Sequence, residues 1–168
     1  VGVVEPRNDG EWEQFSELVA RSCGEATTEV AQRIANQRPS AIARFEVQDD
    51  RVVGGALALP CVQYFGGRPV AAGAVSSLCV APHERGRGTG RRLMWALADA
   101  IGFNGTAAAE IYTNAHGFLR SLGWEVAGQS YCFSAPSGAL VTEEGSGTAV
   151  RDPAPHEVRV LRTRLGAQ

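Results

Sequence analysis

Apolar residues recur along the chain with two periods, and these periods alternate between helical and strand-like segments. Spacings of three and four residues predict two helices near the start, residues 9–22 and 27–36. Asn8 or Asp9 would cap the first helix, and Thr27 or Thr28 the second. The inward-facing positions of the two helices would be Trp12, Phe15, Leu18, Val19, Val30 and Ile34.

Alternating or continuous apolar runs predict strands before and after these helices. The predicted strands are residues 1–4, 41–47, 52–62, 71–80, 107–112 and 124–133. Asp49 and Asp50 would form the turn between the second and third strands, and Gly66-Gly67-Arg68-Pro69 the next turn. Gly54-Gly55 inside the third strand indicates a bulge or a close backbone approach.

A turn rich in glycine and arginine separates the strand ending at Val80 from a further amphipathic helix. Glycines let backbone N–H groups converge on a ligand, and a helix start adds unpaired donors and the positive end of a dipole. The turn therefore predicts an anion site that suits a pyrophosphate, with Arg85, Arg87, Arg91 and Arg92 adding charge. The apolar side of the helix would consist of Leu93, Met94, Leu97, Ala98 and Ile101.

The glycine spacing distinguishes between kinds of phosphate-binding loop. A P-loop needs a Lys after its last glycine, and this chain contains no Lys. A dinucleotide fingerprint needs G-x-G-x-x-G, whereas Gly86-Arg87-Gly88-Thr89-Gly90 is one residue short. Arg85-x-x-Gly88-x-Gly90, preceded by Leu78-x-Val80-x-Pro82, instead resembles the coenzyme A pyrophosphate loop of the GCN5-related N-acetyltransferase (GNAT) superfamily. A nucleotide-binding protein is therefore disfavoured.

A second segment, Phe118-Leu119-Arg120-Ser121-Leu122-Gly123-Trp124, resembles the superfamily's L-Y-E-K-L-G-F signature, where a helix packs beside coenzyme A. Residues 115–122 would form that helix, with Asn114 at its start near the thiol end. The order of strands and helices matches the superfamily as well. The resemblance implies an α/β (α+β) fold, with a mixed, mostly antiparallel sheet of six to seven strands and flanking helices. It also implies a splayed cleft between the fourth and fifth strands, residues 71–80 and 107–112.

One branch of the superfamily is most similar. The segment from Tyr64 to Val75, with its Gly66-Gly67 turn, resembles the enhanced-intracellular-survival (Eis) type, in which a second such fold follows the first. The resemblance covers residues 1–135, which we take as the acetyltransferase domain. Residues 136–168 are loose in composition, with a helix predicted at 157–165. We expect this segment to supply the last strand of the fold and to begin a truncated second unit.

The resemblance implies transfer of an acetyl group from acetyl-CoA to a primary amine of a small molecule. Under the Eis-type resemblance the acceptor would be an aminoglycoside-like polyamine. A backbone N–H of Leu78, Cys79 or Val80 would stabilise the carbonyl oxyanion. The residues implied in coenzyme A binding are Leu78, Cys79, Val80, Arg85, Gly86, Arg87, Gly88, Thr89, Gly90, Arg91 and Asn114.

The source of the proton for the leaving thiolate stays open. Leu119 occupies the position where the superfamily often has a Tyr acid. Tyr112 or Tyr131 is a candidate replacement, and solvent protonation is an alternative. A third alternative is a catalytically silent coenzyme A-binding module of a larger assembly.

Several other side chains are of types that can act in catalysis. Glu110 is the candidate base, followed by His116 at the start of the short helix, whereas His83 and Glu84 are expected on the surface. Cys79 lies inside an apolar strand, where burial raises a thiol pKa and makes it inert as a nucleophile. The three histidines show no metal-ligand spacing, so no metal is expected.

Composition limits the class of protein. Hydrophobic residues at 44% and charged residues at 20% are typical of an ordinary globular domain. A formal net charge of −2 disfavours a nucleic-acid partner, and no segment suggests a signal peptide or membrane span. The four scattered cysteines favour reduced, mostly buried thiols and a cytoplasmic location. The exclusive use of Arg suits a GC-rich bacterial genome, and a homo-oligomer is left open.

Overall fold

A mixed five-stranded sheet carries the helices of the first part of the chain. The computed structural model describes residues 2–129 and 134, and contacts divide the chain into two units, Val1–Asn114 and Ala115–Gln168. The elements of the first unit are β1 (Gly2–Val4), α1 (Asp9–Cys23), α2 (Thr27–Gln37), β2 (Ile42–Gln48), β3 (Arg51–Phe65), β4 (Arg68–Val80), α3 (Thr89–Phe103) and β5 (Ala108–Ile111). Short 3-10 turns lie at Arg38–Ser40 and Pro82–Glu84.

The strands lie side by side in chain order, β1-β2-β3-β4-β5. The first three pairings are antiparallel and the last, β4 with β5, is parallel. The predicted mixed, mostly antiparallel sheet with flanking helices is therefore confirmed. The described residues form five strands, fewer than the six to seven predicted.

The first two helices form where the apolar spacing predicts them. Asn8 caps α1, since its side chain accepts a hydrogen bond from the Glu11 amide at 3.0 Å. The predicted cap of α2 is wrong, because Ala26 is the N-cap residue and makes no side-chain hydrogen bond. Both helices bury their apolar sides in one core with residues of β2 and β3; its fully buried members include Phe15, Val30 and Phe45.

The turn between β2 and β3 is the predicted one. Asp49 and Asp50 both lie in the left-handed region, with φ of 47° and 57°. Two such residues make the turn whose twist matches that of the flanking strands. The next turn consists of Gly66 and Gly67 alone, since Arg68 and Pro69 already belong to β4, which makes it shorter than predicted.

Close approach explains the glycine pair inside β3. A Cβ built on Gly55 would lie 2.6 Å from the Phe15 ring, and one on Gly54 would lie 2.9 Å from Leu93 Cδ1. The two glycines therefore let α1 pack on one face of the sheet and α3 on the other. A register shift against β2 lies beside them, between Glu46 and Val47, so both parts of the prediction are confirmed.

The second unit is described only in part. The helix predicted at 115–122 is shorter in the structure, α4 (His116–Arg120), and ends before Gly123, whose φ is +88°. Residues 124–129 form no strand, which corrects that part of the prediction for 124–133. Residues 130–133, Tyr131 among them, lie outside the described residues, as does the helix predicted at 157–165. Among the residues that are described, no helix has the length and hydropathy that a membrane crossing requires.

Candidate active site

The pairing of β4 with β5 stops part of the way along β4. The two strands pair from Ala72 with Ala108 to Val75 with Ile111, whereas β4 continues to Val80. A register shift opposite Leu57 and Ala58 leaves Ser76 as an extra residue in β4 at this point. Bulges bend a strand and end pairing. The end of β4 therefore has no strand beside it on the β5 side within the described residues, as the predicted cleft requires.

Backbone donors of β4 face this opening. The Ala81 amide donates to the Val53 carbonyl at 2.8 Å, which fixes the direction of alternate amides along β4. Because Cys79 pairs with Gly55 in the same register, the Cys79 amide also faces β3. The amides of Leu78 and Val80 face the other way, toward the opening, which favours these two over Cys79 as ligand donors.

The glycine-rich turn leads directly into α3. Gly86 and Gly88 have φ of +77° and +80°, a conformation that favours glycine. Gly88 is the N-cap of α3, and its carbonyl accepts from the Arg92 amide at 3.0 Å. The amides of Thr89, Gly90 and Arg91 precede that first intrahelical bond, as the first donors of any helix do. The turn and the helix start thus present amide donors beside the arginines.

Two of the four arginines are held by groups other than acids. Arg85 donates from Nε to the Val80 carbonyl at 3.1 Å, which brings the turn back to the end of β4. Arg91 lies over the Trp95 ring, with Cζ 5.5 Å from its centroid. Their charges face solvent and suit a bound anion.

The other two arginines are paired with carboxylates. Arg92 binds Glu46 on β2, with Nη2 2.6 Å from Oε1, so its charge is already neutralised within the protein. Arg87 Nη1 lies 3.2 Å from Glu84 Oε1. The expectation that Glu84 lies on the surface is wrong: its side chain is buried, and its carboxylate accepts hydrogen bonds from Arg87 and Gln48. His83 is exposed, as expected.

Glu110 lies on β5 beside the opening. It pairs with Ala74, one residue before the last paired position of the two strands. Gln63 Nε2 donates to Glu110 Oε2 at 2.6 Å, and Cys61 Sγ lies 3.9 Å from Oε1. Burial first, and the Glu110 carboxylate second, raise the pKa of the Cys61 thiol. Glu110 is thus a half-buried carboxylate that accepts a hydrogen bond from a side chain of β3, across the intervening β4.

The remaining predicted residues lie at or beyond the end of β5. Tyr112 follows the last residue of β5, and its side chain is 83% exposed. Asn114 is exposed in the segment after it, and His116 is exposed at the start of α4. Leu119 is buried within α4, with 6% exposure.

The cysteines of the described residues are free thiols. Cys79 is buried, Cys61 is half-buried and Cys23 is exposed. Burial raises the pKa of the Cys79 thiol, which agrees with its expected inertness as a nucleophile. Between residues 2 and 129, no three His, Cys, Asp or Glu side chains cluster in a way that could hold a metal ion.

Sequence reasoning missed the pair formed by Glu46 and Arg92. Glu46 alternates with the core residues Phe45 and Val47 along β2, a pattern typical of a solvent-facing position. The structure covers that face with α3, so the carboxylate is fully buried. The one available signal was Gly54, directly opposite Glu46, where a missing side chain lets a helix approach.

Known proteins share this architecture. A family model described as an acetyltransferase (GNAT) domain matches residues 4–127. An acetyltransferase from Trypanosoma brucei shares the fold with a TM-score of 0.64 and 17% identity, over 79% of this chain and 99% of that one. An aminoglycoside 6'-N-acetyltransferase from Acinetobacter haemolyticus gives 0.64 and 17%, over 81% and 99%.

A GCN5-related N-acetyltransferase from Kribbella flavida is a longer relative. It gives a TM-score of 0.61 and 23% identity, over 72% of this chain but only 32% of that one. None of the curated proteins matches the chain. At these identities the solved structures support the fold, and the family model supports the membership.

Proposed function

Because the chain belongs to the GNAT acetyltransferase family, we propose that it moves an acetyl group from acetyl-CoA to a primary amine of a small molecule. The observation that carries the proposal is the end of β4–β5 pairing at Val75 and Ile111. It leaves an opening lined by backbone donors, and the glycine-rich turn begins at the end of the same strand. Acetyl-CoA would need both sites, the opening for its thioester and the turn for its pyrophosphate, at the same end of β4.

The turn suits the pyrophosphate of acetyl-CoA. The backbone at Gly86 and Gly88 lies at positive φ, and the amides that follow begin a 15-residue helix. The positive end of the helix dipole and the arginines favour an anion there. Arg85, Arg87 and Arg91 would contact the phosphates, together with the amides from Gly86 to Arg91.

The chemistry needs an oxyanion donor and a base. An acceptor nitrogen would form a bond to the acetyl carbon, and the carbon–sulfur bond would break as the carbonyl re-forms. The Leu78 or Val80 amide faces the opening and would stabilise the oxyanion between these events. Glu110, with one oxygen held by Gln63, would take the proton from the amine directly or through a water.

We propose a cationic polyamine of the aminoglycoside kind as the acceptor class. Two features support it: the Eis-type resemblance around the Gly66-Gly67 turn, and the Glu110 carboxylate beside the opening. A carboxylate attracts a protonated amine before it removes the proton. The fold neighbour from Acinetobacter haemolyticus, named as an aminoglycoside acetyltransferase, is compatible with this acceptor class.

Leu119 favours a second candidate, a catalytically silent coenzyme A-binding module. Its side chain is apolar and buried where the family often has a tyrosine, and Tyr112 is largely exposed. Without an acid, the leaving thiolate must take its proton from solvent. A thiol pKa near 8.5 makes that acceptable for an enzyme, so the first candidate is retained.

Calorimetry with acetyl-CoA, followed by a free-thiol release assay, tests the proposal. The amine panel would contain an aminoglycoside, a linear polyamine and a neutral sugar that lacks an amine. We expect acetyl-CoA to bind, and we expect thiol release with the two amines but not with the neutral sugar. Absence of binding would remove the proposal, and binding without thiol release from any amine would support the silent module.

A further inference from the structure

The fully buried Glu46 carboxylate lies beneath the glycine-rich turn. Its side chain is 0% exposed and accepts from Arg92 through both oxygens, from Nη2 at 2.6 Å and from Nε at 3.1 Å. A buried carboxylate costs several kcal/mol unless it is paired and hydrogen-bonded. Glu46 therefore fixes the position of the Arg92 guanidinium.

The same guanidinium holds the turn. Arg92 Nη1 donates to the Arg87 carbonyl at 3.0 Å, and Nη2 donates to the Thr89 hydroxyl at 2.9 Å. Arg87 lies between the two glycines of positive φ, and Thr89 is the first residue of α3. The Arg92 side chain thus connects the centre of the turn, the start of α3 and β2.

A second contact strengthens this arrangement from the same strand. Gln48 donates to Glu84 at 3.4 Å, and Glu84 in turn accepts from the Arg87 side chain at 3.2 Å. Both ends of the turn are therefore connected to β2, through Gln48 before the turn and Glu46 after it.

We infer that Arg92, held by Glu46, is a positioning residue that preorganises the turn for the donor's pyrophosphate and does not bind the phosphates itself. This inference rests on the proposed function. Four of the five guanidinium N–H groups already have partners, so few remain for a ligand. A turn ordered in advance avoids the entropy cost of ordering it on binding.

The test replaces the ion pair with apolar side chains of similar size. The double variant Glu46→Leu/Arg92→Met leaves no unpaired buried charge, and such replacements are often tolerated. We expect the KM for acetyl-CoA to rise about tenfold or more, which corresponds to about 1.4 kcal/mol, with kcat little changed. With S-acetylpantetheine, which lacks the pyrophosphate, kcat/KM should stay within about twofold, since ordering of the turn no longer matters.

The control is a matched ion pair on another part of the molecule. Glu11, with 4% side-chain exposure, pairs with the partly exposed Arg7 near the start of α1. Glu11→Leu/Arg7→Met should leave the ratio of kcat/KM for acetyl-CoA to kcat/KM for S-acetylpantetheine unchanged. If kcat/KM fell equally for both acetyl donors in the Glu46/Arg92 variant, or fell for neither, the inference would be overturned.

Hydrogen exchange of the ligand-free protein gives a readout that does not depend on the reaction. The amides of residues 86–88 should exchange faster in the Glu46/Arg92 variant and at the wild-type rate in the control. Should the double variant not fold, Arg92→Lys keeps a charge for Glu46 but loses the fork, so the same changes are expected. If neither the exchange rates nor the KM for acetyl-CoA change, the inference is overturned, but the proposed function is not. If wild type binds no acetyl-CoA, the proposed function and this inference both fall.

Discussion

Gly88 occupies the point at which the turn becomes a helix. Its φ of +80° suits glycine, and a Cβ there would lie 3.3 Å from Arg92 Nη1. A side chain at this position would therefore press on the Arg92 guanidinium. The backbone conformation and the proposed anion site both depend on the absence of a Cβ at Gly88.

Gly88→Ala should weaken acetyl-CoA binding more than it weakens the fold. A left-handed residue other than glycine costs about 1–2 kcal/mol, and the new methyl would also displace Arg92. Gly24→Ala is the matched control, because Gly24 has a φ of +70° and open space around it at the end of α1. Thermal melts should show losses of similar size, whereas calorimetry should show lower affinity in Gly88→Ala alone. Equal affinities in the two variants would contradict the assignment of the pyrophosphate site.

Cys79 should resist alkylation at pH values where ordinary thiols react. Burial raises its pKa, so at pH 8 less of it is thiolate than in the unfolded chain, whose thiols titrate near 8.5. Peptide mapping after iodoacetamide treatment should find the exposed Cys23 labelled first and Cys79 labelled only in denaturant. The neutral thiol's contribution to stability is complete below the unfolded pKa and is lost as pH rises through the folded one. Rapid labelling of Cys79 in the folded protein would contradict this account.

At the scale of single elements, β4 has two different edges. Toward β3 it is paired along its length, and toward β5 it is paired only up to Val75. The alternation of amides assigns Cys79 to the first edge and Leu78 to the second. Substitutions at these neighbouring positions should therefore have different effects.

Leu78→Pro should reduce the reaction rate without breaking the sheet. Proline removes an amide donor, and at an unpaired edge no ladder hydrogen bond is lost. If the Leu78 amide stabilises the oxyanion, kcat should fall by about 10²–10³-fold. Cys79→Pro is the contrast, since it removes a hydrogen bond to β3 and should lower the melting temperature. Unchanged turnover in a folded Leu78→Pro protein would assign the oxyanion to another donor.

Elements with strong periodicity could be predicted from the sequence, and burial that depends on distant partners could not. The spacing of Phe15 and Val19 gave α1, and the two aspartates gave the turn before β3. The burial of Glu84 could not be predicted, since Gln48, which donates to its carboxylate, is 36 positions away. The pairing of Arg92 with Glu46 was missed for the same reason, over a separation of 46 residues.

At the scale of the whole molecule, the glycine-rich turn and the opening beside the end of β4 lie in the first unit, and Leu119 lies in the second. The family match, residues 4–127, includes both. Under the proposed function, a chain could keep donor binding and lose the family's usual acid, and this difference separates an enzyme from a silent module.

Leu119→Tyr tests which of these the chain is. A tyrosine there would restore the family's usual acid, and kcat should rise by up to about 10²-fold if thiolate protonation limits the reaction. Phe118→Tyr is the control, because it adds the same hydroxyl to the same helix at a partly exposed neighbour. Leu119 is buried, so the larger side chain should cost about 1–3 kcal/mol of stability, which a melt would show.

Thiol release by wild type, with a further increase in Leu119→Tyr only, supports an enzyme that relies on solvent for this proton. Tight acetyl-CoA binding with no thiol release in wild type would instead identify the silent module, even if Leu119→Tyr gained activity.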